Sequence, residues 1–172
     1  MDLPGASYLL GLGEIAMTFV GFSSVIMVFR QTAGGRLSRL DSWITLIFVQ
    51  LGFIVMAGAL APSVLSLCGW PPIVVWRACS AVVAVLISAF SISYPARRHA
   101  VSGVATPTYV WIDLALLAGC VIILIADAAG WPWTPGAGAY VVGLTGIMGV
   151  SALGYLNALG ALHQQTPGPS GA

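Results

Sequence analysis

The sequence contains no lysine, and its 172 residues carry only six arginines and five acidic side chains. An ordinary soluble domain holds about a quarter of its residues as charges, against 6% here. The net charge of +1 gives no field to draw nucleic acid or an acidic partner. Without lysine, retinal-type Schiff-base chemistry is excluded. The three cysteines, Cys68, Cys79 and Cys120, show no CxxC spacing, so buried apolar thiols are expected rather than disulfides or a thiolate metal site. The two histidines, His99 in a loop and His163 at the inner end of a span, suit bis-His haem poorly. HExxH, a GxSxG nucleophile elbow and a glycine-rich phosphate loop are also missing. No catalytic, metal-binding or cofactor-binding residue is assigned, and an enzyme is not favoured. Asp2 is the only side-chain charge before Glu14, so the basic start of a secretory signal is lacking and the first apolar stretch is expected to stay in the mature protein.

What the sequence has is apolar surface: 59% hydrophobic residues and a mean hydropathy of +0.98. So small a chain cannot hide that much inside a water-facing fold, which leaves an integral membrane protein. A crossing helix needs roughly 20 mostly apolar residues. Five segments qualify, at about Tyr8–Phe29, Trp43–Cys68, Ile73–Tyr94, Tyr109–Ala126 and Ala139–Leu162. Between them lie a polar stretch Gln31–Asp41, a turn Gly69-Trp70-Pro71-Pro72, a stretch Pro95–Pro107 opening with Arg97-Arg98-His99, and a turn around Trp131-Pro132-Trp133. The runs lack the alternation of barrel strands, so the spans are helices. The expected fold is all-α: a single polytopic bundle of five transmembrane helices over residues 1–163, followed by a flexible cytoplasmic tail over 164–172. Span two is long enough to tilt or to kink at Pro62.

Orientation follows from the arginines. Arg30, Arg36 and Arg39 flank the loop after span one, Arg97 and Arg98 follow span three, and the alternate loops have no basic residue. The positive-inside rule then puts the N-terminus outside and the C-terminus inside a bacterial-type cytoplasmic membrane. Asp41 and Ser42 read as the N-cap and first-turn acid of span two.

The remaining charges fall in or at the edges of the spans. Glu14 sits about two turns below the outer end of span one, and Arg77 about one turn below that of span three. Similar depth suggests an ion pair, with Asp127 as a rival partner for Arg77. The competing reading has Arg77 snorkelling to the headgroups and Glu14 protonated. Glu14, Thr18 and Gly21 share one stripe of span one, while Arg77, Ala81, Ala84, Ser88 and Ser91 form another on span three. Such stripes serve either close helix packing or a hydrated path. Asp113, about a turn inside the cytoplasmic end of span four, is within reach of Arg30, Arg36, Arg39, Arg97 or Arg98, as a staple or as a gating group. Gln50 and Asn157 read as interhelical hydrogen-bonding residues, and Gly143 and Gly146 mark close approach of another helix.

The segment Gly13-Glu14-Ile15-Ala16-Met17-Thr18-Phe19-Val20-Gly21-Phe22 resembles the opening helix of small uncharacterised bacterial multi-span membrane proteins. That resemblance covers one helix and implies no activity.

Intramembrane ionisable residues mark pathways, so the leading expectation is a small homo-oligomeric channel or transporter for an ion, proton or small solute. Glu14 and Arg77 would form its outer constriction, Thr18, Ser88 and Ser91 its lining, and Asp113 an inner station. The alternative is a non-catalytic membrane subunit or assembly factor. A third reading, an intramembrane lipid- or quinone-acting enzyme, needs a cavity at Glu14 or Asp127. Beyond the lipid bilayer, the expected partners are further copies of the chain and a small solute or ion.

Overall fold

The computed structural model describes residues 5–32, 39–103 and 106–163, with the side chains of 30, 31, 40, 41 and 159–163 outside that description. Five helices follow one another: α1 Ala6–Thr32, α2 Arg39–Leu67, α3 Pro72–Ser102, α4 Thr108–Ala129 and α5 Ala137–His163. Each contains a stretch long and apolar enough to cross a membrane. The chain is an integral membrane protein built as a five-helix bundle. The expected tail and the Arg36 loop position lie outside the described residues; α2 starts at Arg39, so Asp41 and Ser42, expected to cap it, stand within its first turn instead.

Proline and glycine set the breaks. Pro71 and Pro72 open α3, where a missing N–H costs nothing. At the end of α4, Gly130 adopts φ +75°, and the amides of Gly130 and Trp131 both return to the Ala126 carbonyl, at 3.0 and 3.1 Å. This αL closure uses carbonyls that the last turn would leave free.

The centre of the bundle is filled by Val55, Ile87, Leu124, Tyr140, Leu144 and Ile147, all fully buried. Helix α4 lies close on α5: a Cβ on Gly143 would fall 2.7 Å from Leu124 Cδ2, and one on Gly146 2.6 Å from Cys120 Sγ. The glycine stripe expected to admit a neighbour does so within the chain. Helix α1 is peripheral. It packs mainly along α2, where Val20 seats against Gly52, and its Phe19 meets Tyr155 of α5 edge to face. Large apolar side chains such as Phe29, Leu67, Ile92 and Leu156 face outward, as suits contact with lipid rather than water.

Two expectations change. Cys68 is exposed at the end of α2, while Cys79 is buried and Cys120 half-buried. Gln50 and Asn157 both lie on the outer surface of the bundle rather than between its helices.

Candidate functional site: a polar pocket at the arginine-rich end

The sequence ends span three at Tyr94 and puts Arg97, Arg98 and His99 in a loop. The helix instead runs through Pro95 to Ser102. An internal proline removes one backbone bond, which a packed membrane bundle tolerates. The residues after it (Ala96, Arg97, Arg98, Ala100) form helix readily, and Gly103 closes the end at φ 65°. The extra turns carry Arg98 back onto the bundle. Arg97 is exposed, whereas Arg98 is only 8% exposed.

Arg98 lines a pocket between α2, α3, α4 and α5. Its Nε is buried without a hydrogen-bond partner. One turn earlier on the same helix, the Tyr94 side chain lies against the Arg98 guanidinium, and Trp43 and Phe90 flank Tyr94 with ring centroids at 5.3 and 5.8 Å. From α4 come Tyr109 and Asp113, and from α5 Ser151, whose hydroxyl is engaged with the Ile147 carbonyl at 2.7 Å. Ile47, Phe48, Leu51 and Leu117 supply much of the apolar wall. The Asp113 carboxylate is directed at α5, where a Cβ on Gly154 would stand 3.1 Å from its Oδ2. Gly154 thus makes room for the acid. Among the described residues, no hydrogen bond or ion pair joins Asp113 to Arg98.

Depth can be read along the helices. Arg98 stands four residues before the end of α3 and Asp113 five residues after the start of α4, about 6 and 7.5 Å from the helix ends. The two charges share one level, and the Trp43, Tyr94 and Tyr109 rings share it with them. Aromatic rings of this kind favour the boundary between headgroups and hydrocarbon. The cavity has a volume of about 50 Å³. One water needs roughly 10–15 Å³ on that measure, so several waters or one small polar group fit.

At the opposite end the charges serve the turn between α4 and α5. Asp127 is fully buried; it accepts the Ser80 hydroxyl at 2.6 Å and the Gly136 amide at 3.0 Å. Arg77 is exposed and donates to the Ala129 carbonyl at 3.4 Å, lying over Gly130. A guanidinium at a helix C-terminus offsets the negative end of the dipole. Arg77 and Asp127 therefore meet at one turn without forming an ion pair. Glu14 is elsewhere: among the described residues the α1 and α3 backbones do not approach each other closely, and no hydrogen bond or ion pair joins Glu14 to Arg77. Glu14 and Thr18 are exposed on α1, with the Thr18 hydroxyl bonded to the Glu14 carbonyl at 2.9 Å. Ser88 and Ser91 are half-buried on α3, and the Ser91 Oγ has no partner.

Of the residues singled out in the sequence, the pocket contains Asp113 and, of the five arginines expected within its reach, Arg98. Tyr94 and Tyr109 enter the sequence reading only as span ends, and Arg98 only as an orienting charge and one of five possible partners of Asp113. The signal that reveals them is the Tyr94–Arg98 spacing of four, which matters once α3 continues past Pro95.

No protein-family model matches the chain, and no curated protein or solved structure is significantly similar to it.

Proposed function

We propose that this protein is a homo-oligomeric membrane transporter of a small solute, and that the pocket at the arginine-rich end is its binding station. The observation that carries this reading is the Arg98 side chain, buried in an apolar-walled pocket with its Nε unpartnered. A buried guanidinium is costly unless something satisfies it, and the Asp113 carboxylate on the same wall does not pair with it. An apolar pocket with a few convergent polar groups is the usual form of a ligand site. By the positive-inside rule this end faces the cytoplasm. The outer charges have a simpler role in each chain: Asp127 and Arg77 hold the α4–α5 turn. Glu14, exposed on α1 at membrane depth, supports contact with a second copy.

The test is flux in proteoliposomes, using protons, chloride, L-leucine and a fluorescent phospholipid as probes. Transport of at least one probe is expected, lost in Arg98→Gln and Asp113→Asn and retained in Asp127→Asn protein that still folds. Transport at the wild-type rate in Arg98→Gln, or none of any probe by the wild-type protein, refutes the reading.

A further inference from the structure

The pocket pairs a cation and an anion that do not neutralise each other. Arg98 contributes a guanidinium with one buried N–H lacking an acceptor. Asp113 contributes a carboxylate from the next helix, held over Gly154. The two line one cavity, yet among the described residues no hydrogen bond or ion pair joins them. The rest of the pocket they share is lined by Tyr94, Tyr109, Ser151 and apolar side chains. The chemical complement of such a wall is a molecule with both charges: an anionic group for Arg98 and an N–H donor cation for Asp113.

We propose that the pocket binds a zwitterion, its phosphate or carboxylate on Arg98 and its primary ammonium on Asp113. The assignment rests on the reading of the pocket as a ligand site. Two sources share this chemistry, the ethanolamine headgroup of a phospholipid and a free apolar amino acid. The depth of the pocket, level with the headgroup boundary, suits both. The interior takes a small polar group but no acyl chain, so a lipid would insert its head and leave its chains along the apolar outer surface. An anionic lipid without the ammonium gains only the Arg98 half and meets the Asp113 carboxylate as a like charge. A choline head carries no N–H to give Asp113.

The experiment is native mass spectrometry and thermal unfolding of the purified full-length protein in detergent. The probes are dilauroyl-phosphatidylethanolamine, dilauroyl-phosphatidylcholine, dilauroyl-phosphatidylglycerol and L-leucine. Wild-type protein is expected to bind the ethanolamine lipid or L-leucine about tenfold or more tightly than the glycerol and choline lipids, as fits one charge-assisted hydrogen bond. Asp113→Asn is expected to erase that preference without weakening the glycerol lipid, and Arg98→Gln to weaken every binder. Arg98→Lys, which keeps the charge but not the planar fork, guards against loss of fold and is expected to fall between. Protection by L-leucine with the same dependence on both residues assigns the free amino acid; a response confined to the ethanolamine lipid assigns the headgroup. Equal binding of ethanolamine and glycerol lipids with no L-leucine response, or unchanged selectivity in Asp113→Asn, overturns the zwitterion while Arg98 dependence preserves the pocket. Binding indifferent to Arg98 overturns both.

Discussion

Tyr140 on α5 donates its hydroxyl to the Gly58 carbonyl on α2 at 2.6 Å, and that carbonyl belongs to the residue four before Pro62. Proline has no N–H to return to it, so α2 carries a gap in its ladder at the centre of an apolar bundle. Tyr140 fills the gap from a neighbouring helix. Gly58 permits the approach, since a Cβ there would lie 3.2 Å from the tyrosine oxygen and 3.0 Å from Leu144 Cδ1. Tyr140→Phe therefore leaves a buried acceptor empty and is expected to cost about 1–3 kcal/mol, read as reduced stability in detergent unfolding. In a Pro62→Ala background the helix regains its own donor. The same Tyr140→Phe change is expected to cost markedly less there, and equal costs in both backgrounds would refute the account.

Asp127 closes the other end of the bundle. Its carboxylate takes donors from α3 and from the turn before α5, Ser80 Oγ and the Gly136 amide, so one side chain joins three pieces of chain. Asp127→Ala strands both donors and is expected to cost about 3 kcal/mol. Ser80→Ala removes only one partner, at about 1 kcal/mol. Because the two residues share a bond, their costs are expected to add to less than the sum in the double variant. Additive costs measured by unfolding would show that the Ser80 bond contributes nothing.

The number and type of spans are legible in the residues because bilayer thickness imposes a length on every crossing helix and Pro/Gly clusters separate the apolar runs. The site is less so. Asp113 stands out as a charge in an apolar run, and Arg98 as one of five arginines within its reach, but the ordinary inference that Pro95 ends a helix places Arg98 in a loop rather than buried on α3. Its burial depends on which face of α3 the α4 and α5 helices cover. Helices that are apolar nearly all round give no amphipathic stripe to point that out. The same uniformity concealed that Glu14, Gln50 and Asn157 face outward.

An exposed carboxylate at membrane depth needs a partner or a proton. Glu14 lies eight residues into α1, about 12 Å from the helix end, and Arg77 about 7.5 Å along α3, also exposed. Within a chain the α1 and α3 backbones do not approach closely among the described residues and no ion pair joins these opposite charges, which leaves a second copy as the partner to test. Glu14→Arg is expected to shift the purified protein toward monomer in light scattering and cross-linking. Adding Arg77→Glu is expected to restore the assembly by exchanging the charges. A monomeric wild-type protein, or an assembly unaffected by Glu14→Arg, removes this contact.

Gly154 separates the role of Asp113 in binding from any role in stability. Its missing Cβ leaves room for the carboxylate, and an alanine there would stand 3.1 Å from Asp113 Oδ2 and 3.4 Å from the Phe48 ring. A few tenths of an ångström of movement relieves that crowding. Alanine also gains up to about 1 kcal/mol over glycine within a helix. Gly154→Ala is accordingly expected to leave thermal stability within about 1 kcal/mol of wild type, the crowding and the helix gain offsetting each other. Binding should respond differently, because a carboxylate pushed off its site meets the ligand at the wrong angle. Affinity for whichever of L-leucine and the ethanolamine lipid the wild-type protein binds is expected to fall several-fold with the fold intact. Unchanged affinity at unchanged stability would mean that Asp113 does not touch the ligand.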